Sequence, residues 1–452
     1  MMQESQRNAT GPKSGALPTR ILPVLYFAFA HIALAVAFAA VAFDPVAVAG
    51  FFYHARIVAI VHLVTLGWIS GSILGAVYIV GPLALRMPMP ARRLDYWAWA
   101  FFTVGTMGMV SHFWTESFSG MAWSAAMVVL GFVLVSIAVL RRLRVAPING
   151  AIKLHIALAF LNLLGAGSMG TLLGFDKVFH FLPGYVLSNV YAHAHLAAVG
   201  WALMMVVGVS YRMLPMVLPS AIPEGKSVYV SAVLLEIGVV GLFIALTSRG
   251  GWVPFFALVI AGGVAAFLGH VIWMTRHSRP APAARPRPDY AVWHAVQALS
   301  YLALATVVGV GLAVAPLSEA TLRSVLPYGV FGLIGFLAQI VVGIESRLLP
   351  LFAWYGAFAN SGFERPLVSP HQMPNRAWQR LAFYLWVAGV PALAAGFYFN
   401  VAPVLATGAW CLLAAVVFGT LNSAWVLRHT IARPGRPSAR NRTAPSEASK
   451  PA

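Results

Sequence analysis

Residues 191–215 read YAHAHLAAVGWALMMVVGVSYRMLP. The run outlasts the roughly 20 residues that carry an α-helix across a bilayer, yet it sets two imidazoles, His193 and His195, into its opening turn. Residues 61–82, VHLVTLGWISGSILGAVYIVGP, carry the same marks. With His62 laid on His195, Leu63 meets Leu196, Gly67 meets Gly200, Trp68 meets Trp201, Gly75 meets Gly208, Tyr78 meets Tyr211 and Pro82 meets Pro215. Shared hydrophobicity does not produce such spacing; the chain repeats itself.

A third copy lies at 328–351, YGVFGLIGFLAQIVVGIESRLLPL, where Gly335, Gly343 and Pro350 fall in register and Arg347 and Leu349 match Arg212 and Leu214. Val330 takes the histidine position. Gly67 and Gly200 are 133 residues apart, and Gly200 and Gly335 are 135 apart. That interval holds four membrane helices.

The composition agrees, with 60% hydrophobic residues, 9% charged residues and a mean hydropathy of +0.80. Such a chain resides in a lipid bilayer rather than in water. Apolar runs occur at 21–43, 57–82, 94–114, 120–140, 151–174, 188–218, 227–247, 252–275, 290–316, 325–351, 379–400 and 402–427. The expected fold is therefore all-α and polytopic, with twelve transmembrane helices. They form three four-helix repeats, residues 21–150, 151–280 and 281–430, in a pseudo-threefold bundle. Residues 1–20 are expected as a cytoplasmic tail, 431–452 as a disordered cytoplasmic tail, and 276–289, RHSRPAPAARPRPD, as a solvated linker.

The net charge of +18 follows membrane orientation and not nucleic-acid binding. Of the 30 Lys and Arg, all but Arg56, Lys177, Arg249 and Arg323 fall in the tails or in the loops on one side. The positive-inside rule then places both termini in the cytoplasm of a bacterial-type inner membrane. His62 and His195 come to lie in the outer part of the membrane, with His112 at the same level, His31 nearer the middle, and His54 and Arg56 just outside. His155, His270, His277, His294, His371 and His429 fall toward the cytoplasm as interfacial or loop residues.

Ionisable side chains inside a membrane mark function by default, and imidazole is a ligand for haem iron and for copper. The single cysteine, Cys411, excludes disulfides, covalent haem attachment and iron–sulfur ligation. The reading is a b-type haem, with copper as a second candidate. His62, His195, His112 and His31 are the candidate haem ligands, and His62, His195 and His193 the candidate metal ligands. Arg56 and His54 are the candidate propionate partners. His193 and His195 lie about 160° apart on a helical wheel, so they face different neighbours unless the helix unwinds. Glu236 is a candidate proton relay, Gln339 and Asn162 read as interhelical hydrogen-bonding residues, and Glu345 with Arg347 reads as an ion pair.

The three-block plan, with HLVTLGWISGSILGAVYIVGP and AHAHLAAVGWALMMVVGVSYRMLP on its second and sixth spans, resembles the haem–copper oxidase subunit I superfamily of cytochrome oxidases and nitric oxide reductases. The resemblance implies that His62 matches a low-spin haem ligand and His195 a copper ligand. It also implies electron transfer, or handling of nitric oxide or oxygen, with an electron-donor protein or a small gas as partner. The chain departs from that pattern: residues 325–351 and 227–247 contain no histidine, and Val199 stands where many oxidases have tyrosine. Dispersed histidines on twelve helices are also similar to the NnrS-like haem- and copper-containing membrane proteins. Two other classes share the topology, namely a secondary transporter with internal repeats and a haem or copper assembly factor.

Overall fold

A computed structural model describes residues 17–360 and 368–431 of the chain. Most of residues 1–20, and 432–452, expected as tails, lie outside the described residues. Among the described residues there is no strand, and the long helices run in the order α1 (Ile21–Phe43), α2 (Ala55–Ala84), α3 (Arg93–Trp114), α4 (Met121–Val145), α5 (Gly150–Phe179) and α6 (Val186–Val217). They continue as α7 (Ser227–Thr247), α8 (Val253–Arg276), α9 (Tyr290–Val314), α10 (Glu319–Ala359), α11 (Arg376–Phe399) and α12 (Ala402–Ile431). Helix is what lipid demands, because it satisfies every backbone N–H and C=O within one segment.

Eleven of these helices are long and apolar enough to cross a membrane. The exception is α3, whose 22 residues include Trp97, Trp99, Thr103, Thr106 and His112, which dilute its apolar character. Large apolar side chains such as Ile32, Trp97, Met107, Trp123 and Val307 are exposed around the rim, as a lipid-facing surface requires.

The glycines of α2, α6 and α10 pack against the helix that precedes each of them. A methyl group on Gly67 would sit 2.3 Å from Ala33 Cβ of α1, one on Gly200 2.8 Å from Asn162 Cγ of α5, and one on Gly335 2.6 Å from Tyr301 Cγ of α9. Two turns further on, Gly75 meets Tyr26, Gly208 meets His155 and Gly343 meets His294 in the same relative register. Close backbone approach through small residues is the main packing device available in lipid. It also explains why His155 and His294 are buried inside the bundle, correcting the loop or interfacial placement. The glycine opposite each makes room for its ring.

A second regularity sits within the same three helices. Hydrogen bonding changes from i→i+4 to i→i+5 over Leu63–Ser70 in α2, Leu196–Leu203 in α6 and Val330–Ala338 in α10. Such wide turns are rare in helices and concentrate at functional sites. The three segments touch one another at the centre of the molecule. Trp201 Nε1 donates to Ser70 Oγ at 3.0 Å, and Trp68 Nε1 donates to the Ala338 carbonyl at 3.2 Å. Ser70 and Ala338 occupy the same place in their copies, so each tryptophan bonds the matching position of a neighbouring wide turn. Phe336 stands third in that series and has no donor.

The arginine-rich segment at 276–289 is tied down, not free. The Ala221 amide donates to the His277 carbonyl and the Arg279 amide to the Pro219 carbonyl. Asp289 is buried and bonded by Arg285 and Arg347.

Candidate functional site

The histidines of α2 and α6 enter the wide turns on their first residues, His62 just before Leu63 and His195 just before Leu196. His62 Nδ1 donates to the Val58 carbonyl at 2.8 Å, and His195 Nδ1 donates to the Tyr191 carbonyl at 2.8 Å. His193 Nδ1 donates across to the Ala166 carbonyl of α5 at 3.0 Å. Each tether holds the proton on Nδ1, so each neutral ring presents its lone pair at Nε2. Metal-bound histidines are fixed in this way.

The two imidazoles of 191–215 do face different neighbours. His193 turns toward α2, where its ring lies 6.5 Å from that of His62 with 20° between the planes. His195 turns toward α10, where Tyr328 Oη donates to its Nε2 at 3.2 Å and the rings lie 6.1 Å apart. Phe113 of α3 stacks on the far side of His62 at 5.4 Å. Among the described residues no protein group bonds Nε2 of His62 or His193.

The arrangement follows the spacing of the matched segments. Tyr328 stands two residues before Val330, as His193 stands two before His195 and Ile60 two before His62. The contacts therefore join the histidine position of one copy to the minus-two position of the next: His62 to His193, then His195 to Tyr328. The remaining pair of positions holds Val330 and Ile60, both buried in the apolar core. One design yields an imidazole pair, an imidazole–phenol pair and an apolar pair.

The other expected site residues are placed elsewhere. His31 lies between Glu345 of α10 and Thr420 of α12, its Nε2 2.8 Å from Glu345 Oε1 and its Nδ1 2.8 Å from Thr420 Oγ1, so neither nitrogen is free for iron. His112 packs on Gly120, and no contact between its ring and that of His62 is present among the described residues. His54 caps α2, accepting from the Ile57 amide at 3.4 Å and donating from Nε2 to the Val48 carbonyl at 3.1 Å. Arg56 pairs with Asp44 at 3.7 Å and lies 5.7 Å from the ring of Trp114. Glu236 accepts from Asn162 Nδ2 at 2.7 Å and lines a lateral cleft with Leu196 and Phe243. Glu345 and Arg347 do not pair with each other, because residues two apart on a helix point about 200° apart; Glu345 faces His31 and Arg347 bonds Asp289.

Sequence reasoning missed Tyr328, Phe113 and Lys177. Lys177 Nζ sits 4.9 Å from the rings of both Tyr53 and Phe118, and Phe118 is 6.4 Å from Phe113. A cation thus stands two rings from His62 on the loop side. Burial, and then the Asp176 carboxylate, raise the Tyr53 hydroxyl above the ordinary tyrosine range.

As to donor chemistry, an ion held end-on between two imidazoles by bonds of ~2 Å needs ring centroids roughly 6 Å apart. The His62 and His193 centroids lie 6.5 Å apart and no protein group bonds either Nε2 among the described residues, so the donor set, two neutral imidazoles, suits a haem iron. It does not fit a three-histidine copper centre: among the described residues no group of three or more His, Cys, Asp or Glu is gathered to hold a metal. No family model and no curated protein matches this chain.

Proposed function

We propose that this chain is an integral membrane b-type haem protein of the oxidase subunit I type, with His62 and His193 as axial ligands and electron transfer as its role. The single observation that carries the proposal is the facing pair of imidazoles, each tethered at Nδ1 and open at Nε2. Bound there, the haem supplies one-electron transfer. His62 and His193 would both be engaged in holding the haem, and such a pair supports electron transfer over binding of nitric oxide or oxygen. His195, bonded to Tyr328, sits at the next seam and has no second histidine opposite it. The copper reading rests on His195 alone and is the weaker one.

The residues around the pair do definite work in this reading. The Val58 and Ala166 carbonyls fix the ring orientations and raise the basicity of the Nε2 atoms. Phe113 excludes water from one side of His62. Lys177 and Arg56, on the loop side, are the cations available to balance haem carboxylates.

The architecture belongs to the same proposal: twelve spans, with α3 as the least apolar, in three four-helix blocks with both termini in the cytoplasm of a bacterial inner membrane. The matched wide turns, the matched glycine contacts and the two tryptophan bonds between equivalent positions support triplication. The test is an absorption spectrum of purified protein, reduced minus oxidised, with pyridine extraction and metal analysis. A b-type spectrum supports the reading. Colourless, iron-free protein that moves a solute would instead favour the transporter class.

A further inference from the structure

The pair His31–Glu345 is separate from the imidazole layer and is unused by the proposed electron transfer. Both residues are buried, His31 at 9% and Glu345 at 5% exposure. An ion pair so deep in a membrane protein is costly and is retained where it serves a purpose.

Counting hydrogens defines its state. Thr420 Oγ1 donates to the Val416 carbonyl at 2.8 Å, so it can only accept from His31, and Nδ1 of that ring carries a proton. The 2.8 Å contact between His31 Nε2 and Glu345 Oε1 holds one more proton, on whichever atom. Ser423 Oγ donates to the same Oε1 at 3.0 Å. Oε1 is thus fully used, whereas no protein group bonds Oε2 among the described residues.

Glu345 and His31 line a cavity of ≈ 40 Å³, room for a few waters at ~10–15 Å³ each. The cavity reaches Tyr290 and Gln379, near the N-terminal ends of α9 and α11, beside the Asp289–Arg347 pair. Its polar lining includes Asn422, Ser346 and His294.

We propose that His31 and Glu345 form a proton-binding site inside the membrane, loaded through this cavity from the arginine-rich face. One proton adds to Glu345 Oε2, no bond to a heavy atom forms or breaks, and the net charge of the pair rises from zero to +1. The titratable and charged groups facing it are few. Among the described residues, α9 contributes His294, Tyr290 and, at its start, Asp289; α10 contributes Arg347, which shares Asp289 with Arg285 so that the cluster keeps one positive charge; and α1, α2, α11 and α12 contribute none besides His31 itself. Arg285 and His371 bond Asp289 and Arg347 and do not line the cavity. Trp68, 5.1 Å from His31 and part of the wide turn that follows His62, joins the pair to the centre of the bundle. The inference does not depend on haem.

The test is pH-difference infrared spectroscopy of the full chain in lipid nanodiscs. The expected result is a carboxylic-acid C=O band that titrates in the unmodified protein, vanishes in Glu345→Gln and keeps its amplitude with a displaced midpoint in Ser423→Ala and Thr420→Val. A titrating band that survives Glu345→Gln overturns the assignment. So does the absence of any titrating carboxyl band across the pH range in which the protein stays monodisperse. Should Glu345→Gln fail to fold, the Ser423→Ala and Thr420→Val midpoints decide the matter, and unmoved midpoints in both overturn it.

Discussion

The rings of His62 and His193, on different helices and 131 positions apart in the chain, lie 6.5 Å from each other and within 20° of parallel. Helix α6 delivers His193 to that contact and His195 to Tyr328 on opposite sides of one turn. A shared level near the start of the three wide turns makes both contacts part of one layer. The same layer exposes the protein to specific experimental challenges.

The tryptophan bonds between the wide turns bear on stability. Replacing Trp68 by Phe, the residue the third copy already carries at Phe336, removes the bond to the Ala338 carbonyl. A buried hydrogen bond contributes about 1 kcal/mol. Trp68→Phe is expected to lose about that much stability, read as a lower melting temperature in detergent, and Trp201→Phe a like amount through Ser70. Unchanged melts would mean that the wide turns are held by apolar contact alone.

Glycine substitutions should sort by what surrounds them. Gly67→Ala drives a methyl to 2.3 Å from Ala33 Cβ and must push α1 and α2 apart, at about 1–3 kcal/mol. Gly269 of α8 has nothing within 4 Å of a new methyl, and there alanine gains up to ~1 kcal/mol of helix propensity. Opposite shifts in melting temperature are expected for the two variants.

Asp289 is bonded by both Arg285 and Arg347. Asp289→Asn leaves the half-buried Arg347 guanidinium without its anion, at a cost below the about 3–5 kcal/mol of breaking a fully buried pair from one side. The double variant Asp289→Asn with Arg347→Met should recover much of that loss. A double-mutant cycle measured by unfolding in mixed detergent checks the coupling.

His371, in the segment between α10 and α11, accepts from Arg347 Nη1 through its Nδ1 at 3.0 Å, which requires a neutral ring. Burial, and then the Arg347 guanidinium, hold its imidazole below the ordinary histidine range. Its folded pKa is thus depressed, so its contribution is present above the unfolded value of about 6.5 and is lost as pH falls through the folded one. Melting temperature should decline on that acid limb, and His371→Gln should flatten the decline.

Much of the fold was legible because lipid leaves few choices. Apolar length located the helices, and Gly67, Gly200 and Gly335 marked close helix contacts that tolerate little else. Helix α3 was expected as a span by length, yet its tryptophans, threonines and His112 keep it out of the eleven apolar ones. The imidazole layer was half legible. Aligning copies compares like positions, His62 with His195, whereas the contact is between unlike positions, His62 with His193. Tyr328 hid for the same reason, since it stands two residues ahead of an uninformative valine. The partner of His31 came from α10, more than 300 positions away, which no local pattern encodes.

The most direct measurement is low-temperature electron paramagnetic resonance of the oxidised, haem-loaded protein, which reports the two axial ligands of a low-spin haem. The expected result is a bis-imidazole signal that disappears in both His62→Ala and His193→Ala and persists in His195→Ala. A bis-imidazole signal that survives His193→Ala, or that depends on His195, would contradict the assignment.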